Sequence, residues 1–214
     1  MSRIAFKYLP VRGRLESTCL FLSSIGEPWQ TTTLDWVTFR KEKRKSLPFG
    51  GQLPLMTVTT PEGDTVTTSQ SKNILKTLRD IHRPQNLLDR ITTDEYVDAA
   101  DDLSPAQRMM NFPGTHGAGD AVPQQLKLFK FYLKFLEKTS LSETQFLVSE
   151  TATIADFSWF HIVDVHRCLA PGVLDKSPNV TAWLERIETM DGVKEYLERR
   201  PPLSELGENT LPKK

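Results

Sequence analysis

Cysteine is scarce in this chain: only Cys19 and Cys168 occur among 214 residues. They stand far apart with no C-x-x-C pair and no metal-ligand spacing, which argues against a disulfide framework or a zinc or dithiol motif. An excess of one charge is lacking too. Lysine plus arginine and aspartate plus glutamate number 27 each, so no overall field draws the chain toward nucleic acid or an anionic membrane. No apolar run approaches the roughly 20 residues of a membrane span, and the apolar part of "MSRIAFKYLP" is too short for a signal peptide. The expectation is a soluble, cytoplasmic protein with neither nucleic acid nor membrane as partner. Internal repeats and low-complexity tracts are absent as well.

What is present falls into two halves. "RIAFKY" (3–8) reads as a short strand, and "RLESTCLFLSSIG" carries Leu15, Cys19 and Leu22 at helical spacing, with Gly26 as C-cap and Pro28 beyond. Trp29 to Leu34 reads as a second strand, and a strand, helix, strand order favours a parallel pair. "DWVTFRKEKRKSLPFGG" reads as an irregular basic segment. "PLMTVTTPEGDTVTT" is a hairpin turning at Pro61-Glu62-Gly63-Asp64. A helix follows, with Ser69 as expected N-cap and Ile74, Leu75 and Leu78 on its apolar stripe. This order fits a small α/β domain built like thioredoxin. After Pro84 the strand signals stop: "TTDEYVDAADDL", "VPQQLKLFKFYLKFLEKT", "TIADFSWFHIVDVHRCL", "NVTAWLERIETM" and "VKEYLERR" all show helical periods. The expected organisation is an α/β thioredoxin-like domain over 1–82, an all-α domain over 88–200, and a C-terminal tail over 201–214.

Four local patterns, in order, give this arrangement a family resemblance over nearly the whole chain. "YLPVRGRLE" looks like a motif in which a tyrosine ends strand one and an arginine-glycine turn opens helix one. "PFGGQLPLM" is similar to a loop carrying a cis-proline, "QS" at 70 and 71 to a glutathione-binding pair, and "TATIADF" to the capping box of a buried core helix. Each string is weak alone; together the chain resembles the cytosolic glutathione transferases, tyrosine-type and nearest the sigma-like branch.

The resemblance implies a role for each matching residue. Tyr8 would donate a hydrogen bond to the sulfur of glutathione, whose thiol with a pKa of about 8.5 needs stabilising as thiolate. Arg14 would add positive charge nearby, although Arg12 and Arg14 read equally well as a solvated face. Glu16 reads as an acidic group complementing the helix dipole. A cis Leu53–Pro54 bond, following Gln52, would present the N–H and C=O of Leu53 to the peptide. Gln70 and Ser71, at a helix start, would hold the γ-glutamyl carboxylate. Asp101 or Asp102 falls where a family aspartate reaches across a dimer interface to the amino group, although Pro105 interrupts that helix. Trp36 and one of Arg40, Lys43 or Arg44 would meet the glycine carboxylate. Here the spacing from Trp36 to Pro48 is wider than the family pattern, and "RKEKRK" reads otherwise as a solvated charge run.

Other features have plainer readings. Thr153 and Asp156 have the spacing of a reciprocal N-cap. His161, Asp164 and Cys168 share a helical face, but no fourth ligand is in register, so no metal is expected. "PGTHGAGDAV" (113–122) lacks the Lys-Ser/Thr of a phosphate loop and reads as a connector. Leu9, Val11, Met109, Met110 and Phe112 would line an apolar second-substrate pocket, or else belong to the core. The expected protein is a homodimeric glutathione transferase that attacks an apolar electrophile, with glutathione as co-substrate and no metal. An isomerase of lipid peroxides and a non-enzymatic binding protein are the alternatives.

Overall fold

The computed structural model describes residues 2–42, 51–103, 118–141 and 144–203. Strand β1 (Arg3–Tyr8) alternates exposed and buried positions, with Ile4, Phe6 and Tyr8 facing inward, as a half-buried strand of period two must. A short 3-10 turn (Gly13–Leu15) leads into α1 (Glu16–Ser24), which ends where Gly26 takes φ 66. Strand β2 (Trp29–Thr33) returns parallel to β1, while β3 (Leu55–Thr59) and β4 (Thr65–Ser69) form an antiparallel hairpin beside it. The sheet order is β2-β1-β3-β4, so the parallel pair and the hairpin lie where the sequence puts them.

Two local readings of the first half need correction. Residues 36–42 form a helix, α2 (Trp36–Glu42), where an irregular segment was expected. Asp35 caps it, accepting from the Thr38 N–H at 2.8 Å, and this offsets the orphan donors of a first turn. Ser69 ends β4 and does not cap the following helix, α3 (Ser71–His82), whose N-cap is Gln70. Ser69 is committed to the ladder opposite Leu55.

The second half is helical: α4 (Leu87–Asp102), α5 (Ala118–Phe135) running into a π turn (Leu136–Ser140), α6 (Ile154–Leu169), α7 (Pro178–Glu188) and α8 (Val193–Arg199). Helix α5 begins four residues before the expected end of the 113–122 connector, because Gly119 and Pro123 are tolerated inside it. Helix α6 is the core of the molecule. Phe157, Trp159, Phe160 and Val163 are all buried, and the Trp159 indole N–H donates to the Tyr96 carbonyl on α4 at 2.9 Å.

The reciprocal cap at the start of α6 is present and does more than cap. Asp156 accepts from the Thr153 N–H at 2.8 Å, from the Leu147 N–H at 2.9 Å and from the Trp183 indole at 3.0 Å. One buried carboxylate therefore joins the loop before α6, the helix start and α7. Burial pushes its carboxyl up, and these donors pull against that shift. The two halves are joined by ion pairs between α3 and α4, among them Lys76 to Asp98 at 3.3 Å and the buried Arg79 to Asp94. No helix among the described residues is long and apolar enough to cross a membrane.

Candidate functional site

The strand register gathers the motif residues at one end of the sheet. Lys7 pairs with Leu55, and Leu55 with Ser69. The next residues outward are Tyr8, Pro54 and Gln70, so three segments distant in sequence leave the sheet side by side. The Leu53–Pro54 peptide is cis, the state the resemblance implies.

Tyr8 ends β1 with its ring buried, and its hydroxyl oxygen accepts a hydrogen bond from the Arg14 backbone N–H at 2.7 Å. Burial pushes its pKa up to about 12, partly opposed by that amide and by the Arg14 charge. The phenol is therefore protonated at neutral pH, with its oxygen occupied as an acceptor. Gly13 makes the contact possible. It takes φ 40, and a Cβ there would run into the Tyr8 hydroxyl, so only glycine lets the turn close over the ring.

Gln70 is the one residue other than glycine with positive φ among the described residues, at 71°. Such backbone outliers cluster at ligand sites. Its side-chain amide donates to the Gln52 side-chain oxygen at 2.8 Å, which joins the loop before β3 to the start of α3. Ser71 opens α3, where backbone N–H groups lack helical partners. Ser71, Arg14 and Asp101 share a cleft between the two halves with Lys72, Ser158 and His161. Asp101 lies 3.7 Å from Arg14 and 3.3 Å from Lys72. Asp102 accepts instead from the Tyr132 hydroxyl at 3.4 Å.

Leu9 and Val11 are buried in the main core and do not line this cleft; the turn folds their side chains inward. Trp36 opens α2 and Arg40 lies within it. Lys43, Arg44, Pro48, Pro105, Met109, Met110 and Phe112 fall outside the described residues. Among residues the motifs did not point to, Lys72 stands beside Asp98 at 3.2 Å as well as Asp101. A lysine in the first turn of a helix opposes the dipole, and that misfit was the available signal.

The charged groups flanking the turn are not a solvated face. Arg12 is 5% exposed and pairs with Asp164 at 3.0 Å. Glu16 stands in the first turn of α1, as expected of a dipole-complementing charge, but it is buried and accepts from the Tyr196 hydroxyl at 2.7 Å. His161 and Asp164 are buried on α6, and no group of three or more metal-ligating side chains occurs among the described residues.

Comparison with known proteins gives one consistent result. Residues 119–200 match the family model described as glutathione S-transferase, C-terminal domain. Glutathione S-transferase P of Homo sapiens is 28% identical over 203 residues, covering 89% of each chain. Glutathione S-transferase P 1 of Xenopus laevis is 29% identical over 196 residues with the same coverage. Among solved structures, the pi-class glutathione S-transferase of Onchocerca volvulus superposes with a TM-score of 0.78 at 23% identity, covering 95% of this chain and 98% of the other. The structure named NaGST-2 gives 0.77 at 19% identity, covering 94% and 98%.

Proposed function

We propose that this chain, a member of the glutathione S-transferase family, binds glutathione at the sheet end and transfers its thiolate to an electrophilic carbon, with Tyr8 holding the thiolate. The observation that carries this is the buried Tyr8 hydroxyl, accepting from the Arg14 N–H at 2.7 Å and keeping its own proton to donate. One such charge-assisted hydrogen bond is worth about 1.5 to 3 kcal/mol to the ionised sulfur, or roughly one to two pKa units. The tyrosine-type assignment rests on this residue.

The end of the sheet and the neighbouring cleft are together read as the peptide's seat, in a thioredoxin-like domain over 1–82 that faces a helical domain over 88–200. The γ-glutamyl carboxylate sits on the N-terminus of α3, met by Gln70 and Ser71. Its ammonium group meets Asp101, beside Lys72 and Arg14. The N–H and C=O of Leu53, next to Gln52 and Pro54, pair with the cysteinyl backbone in the manner of an added strand. Trp36 and Arg44 take the glycine carboxylate. Once the peptide is seated, sulfur attacks the electrophile, a carbon–sulfur bond forms and the leaving group departs with its electron pair. Positioning an already ionised thiol supplies most of the rate.

The exposed apolar side chains Ile81 on α3 and Leu87, Leu88 and Ile91 on α4 support a homodimer. Relatives named glutathione S-transferase P favour transfer over the peroxide isomerase that a sigma-like resemblance allows. Turnover decides between them. Glutathione-dependent conjugation of an aryl halide is expected, whereas isomerisation of a lipid endoperoxide without conjugation would overturn the transferase reading.

A further inference from the structure

The turn that closes over Tyr8 is itself held from the far end of the chain. Arg12 directly precedes Gly13, and Glu16 follows Arg14 by two residues, so two charged side chains bracket the amide that meets the phenol. Both are buried. Arg12 donates through Nη1 to Asp164 Oδ2 on α6 at 3.0 Å, and its backbone N–H donates to the Pro202 carbonyl at 3.2 Å. Glu16 accepts from the Tyr196 hydroxyl on α8 at 2.7 Å and from Arg200 Nη1 at 3.2 Å. The same Arg200 nitrogen lies 2.9 Å from Asp164 Oδ2. One guanidinium, just beyond α8, therefore joins both brackets.

Asp164 is the hub. Burial alone would push its carboxyl up, but the Arg200, Arg167 and Arg12 charges outweigh that and hold it below the usual carboxylate range. Arg167 binds its other oxygen at 2.8 Å and continues to Glu188 on α7. Buried ion clusters are weak evidence for stability, because desolvation offsets much of their attraction. Their attested contribution is to select one geometry among near alternatives. Here the geometry selected is that of a five-residue turn with the Tyr8 contact at its centre.

We propose that Asp164 and Arg200 are positioning residues for the Tyr8 site: through Arg12 and Glu16 they clamp the 12–16 turn so that the Arg14 N–H stays aimed at the Tyr8 hydroxyl oxygen. The inference deepens the transferase reading and rests on it for its catalytic consequence. An oxygen that accepts a hydrogen bond makes its own O–H a better donor, so a drifting turn weakens the bond from Tyr8 to sulfur. The groups at Leu53, Gln70 and Ser71 that would seat the peptide are not part of the clamp, and the turn reaches the seat only through the 3.7 Å pair of Arg14 with Asp101, which Lys72 also holds at 3.3 Å. Loosening it therefore acts on sulfur ionisation and leaves peptide affinity nearly unchanged.

The test compares Arg200→Met with Arg200→Lys, which restores a point charge, and with Asp164→Asn, each in the full chain. The first readout needs no glutathione: the Arg14 backbone amide proton in a nitrogen-15 correlation spectrum. It is expected downfield in the wild type, displaced upfield in R200M and D164N, and largely returned in R200K. The second readout is the ultraviolet absorbance of bound glutathione thiolate against pH, paired with calorimetric affinity for glutathione. R200M should raise the apparent thiol pKa by about half a unit or more, roughly a threefold fall in the ionisation constant and about a twofold loss of thiolate at the wild-type midpoint, with Kd within about twofold. On a Tyr8→Phe background the same substitution should add nothing. A folded R200M with an unmoved Arg14 amide and unmoved thiol pKa, whatever its melting temperature, overturns the proposal. Should R200M not fold, R200K against D164N carries the same two readouts, and an unmoved amide and thiol pKa in D164N overturns the proposal equally. A wild type that binds no glutathione, yet shows the amide response, would overturn the transferase reading and leave the clamp standing.

Discussion

At the scale of single residues, the site depends on one close approach. Gly13 lies against the Tyr8 hydroxyl at a φ of 40, so Gly13→Ala must either push the ring aside or unwind the turn. Glutathione-dependent turnover should fall about tenfold or more, in line with the sensitivity of catalysis to small displacements, while glutathione affinity changes little. Turnover at the wild-type level in G13A would mean that the Tyr8 position is not critical. The places of the motif residues were legible in the sequence: Tyr8 ends a strand, Pro54 precedes one, and Gln70 and Ser71 open a helix. The clamp was not. Arg12 with Asp164 and Tyr196 with Glu16 are 152 and 180 residues apart, and no local spacing signals a pairing of that range. A charged side chain beside a glycine turn reads as solvated until its distant partner is placed.

At the scale of elements, periodicity identified each strand and most helices among the described residues, and failed where a cap or a breaker misled. Helix α2 was hidden in a run of basic residues because its Asp35 cap precedes a segment otherwise read as loop. The start of α5 was hidden by glycine and proline, both of low helix propensity. The capping box of α6 was legible from T-x-x-D spacing, but its reach to Leu147 and Trp183 was not. Two losses of different size follow. Thr153→Ala removes a cap and should cost about 0.5 to 2 kcal/mol in urea unfolding. Asp156→Ala also strands the Leu147 amide and the Trp183 indole in the core and should cost about 3 kcal/mol or more. Equal losses in the two variants would show that Asp156 acts as a cap alone.

At the scale of the whole molecule, burial of the core helix makes stability depend on pH. Burial pulls His161 down to about 3 and His166 down to about 4, and His166 stacks on Phe129 with ring centroids 4.0 Å apart. Unfolded histidine titrates near 6.5, so between that value and the folded values the unfolded chain binds more protons. Stability from these groups is complete above pH 6.5 and is lost as pH falls toward 4. Glu16 and Asp156, whose carboxyls burial pushes up, contribute with the opposite sign. A comparison of wild type with His166→Phe, which keeps the ring stack, isolates the histidine. The wild type should lose about 2 kcal/mol more than the variant between pH 7.5 and pH 5, and parallel stability curves would contradict the burial account. The two-part organisation was legible in the sequence from the halt in strand signals after Pro84. The packing of the end of the described chain was not. Leu203, assigned to a tail, is buried, and the Pro202 carbonyl accepts from Arg12; both depend on surfaces that exist only once both halves have folded.

The central claim is that Tyr8 stabilises a glutathione thiolate. Its most direct test is the ultraviolet thiolate absorbance of glutathione bound to the pure protein, titrated over pH for the wild type and for Tyr8→Phe. The account predicts a thiolate that appears at least one unit below the free thiol's pKa of about 8.5, and a return toward that value in the variant with glutathione still bound. Bound glutathione that titrates like the free thiol, or a depressed pKa that persists in Y8F, would contradict it.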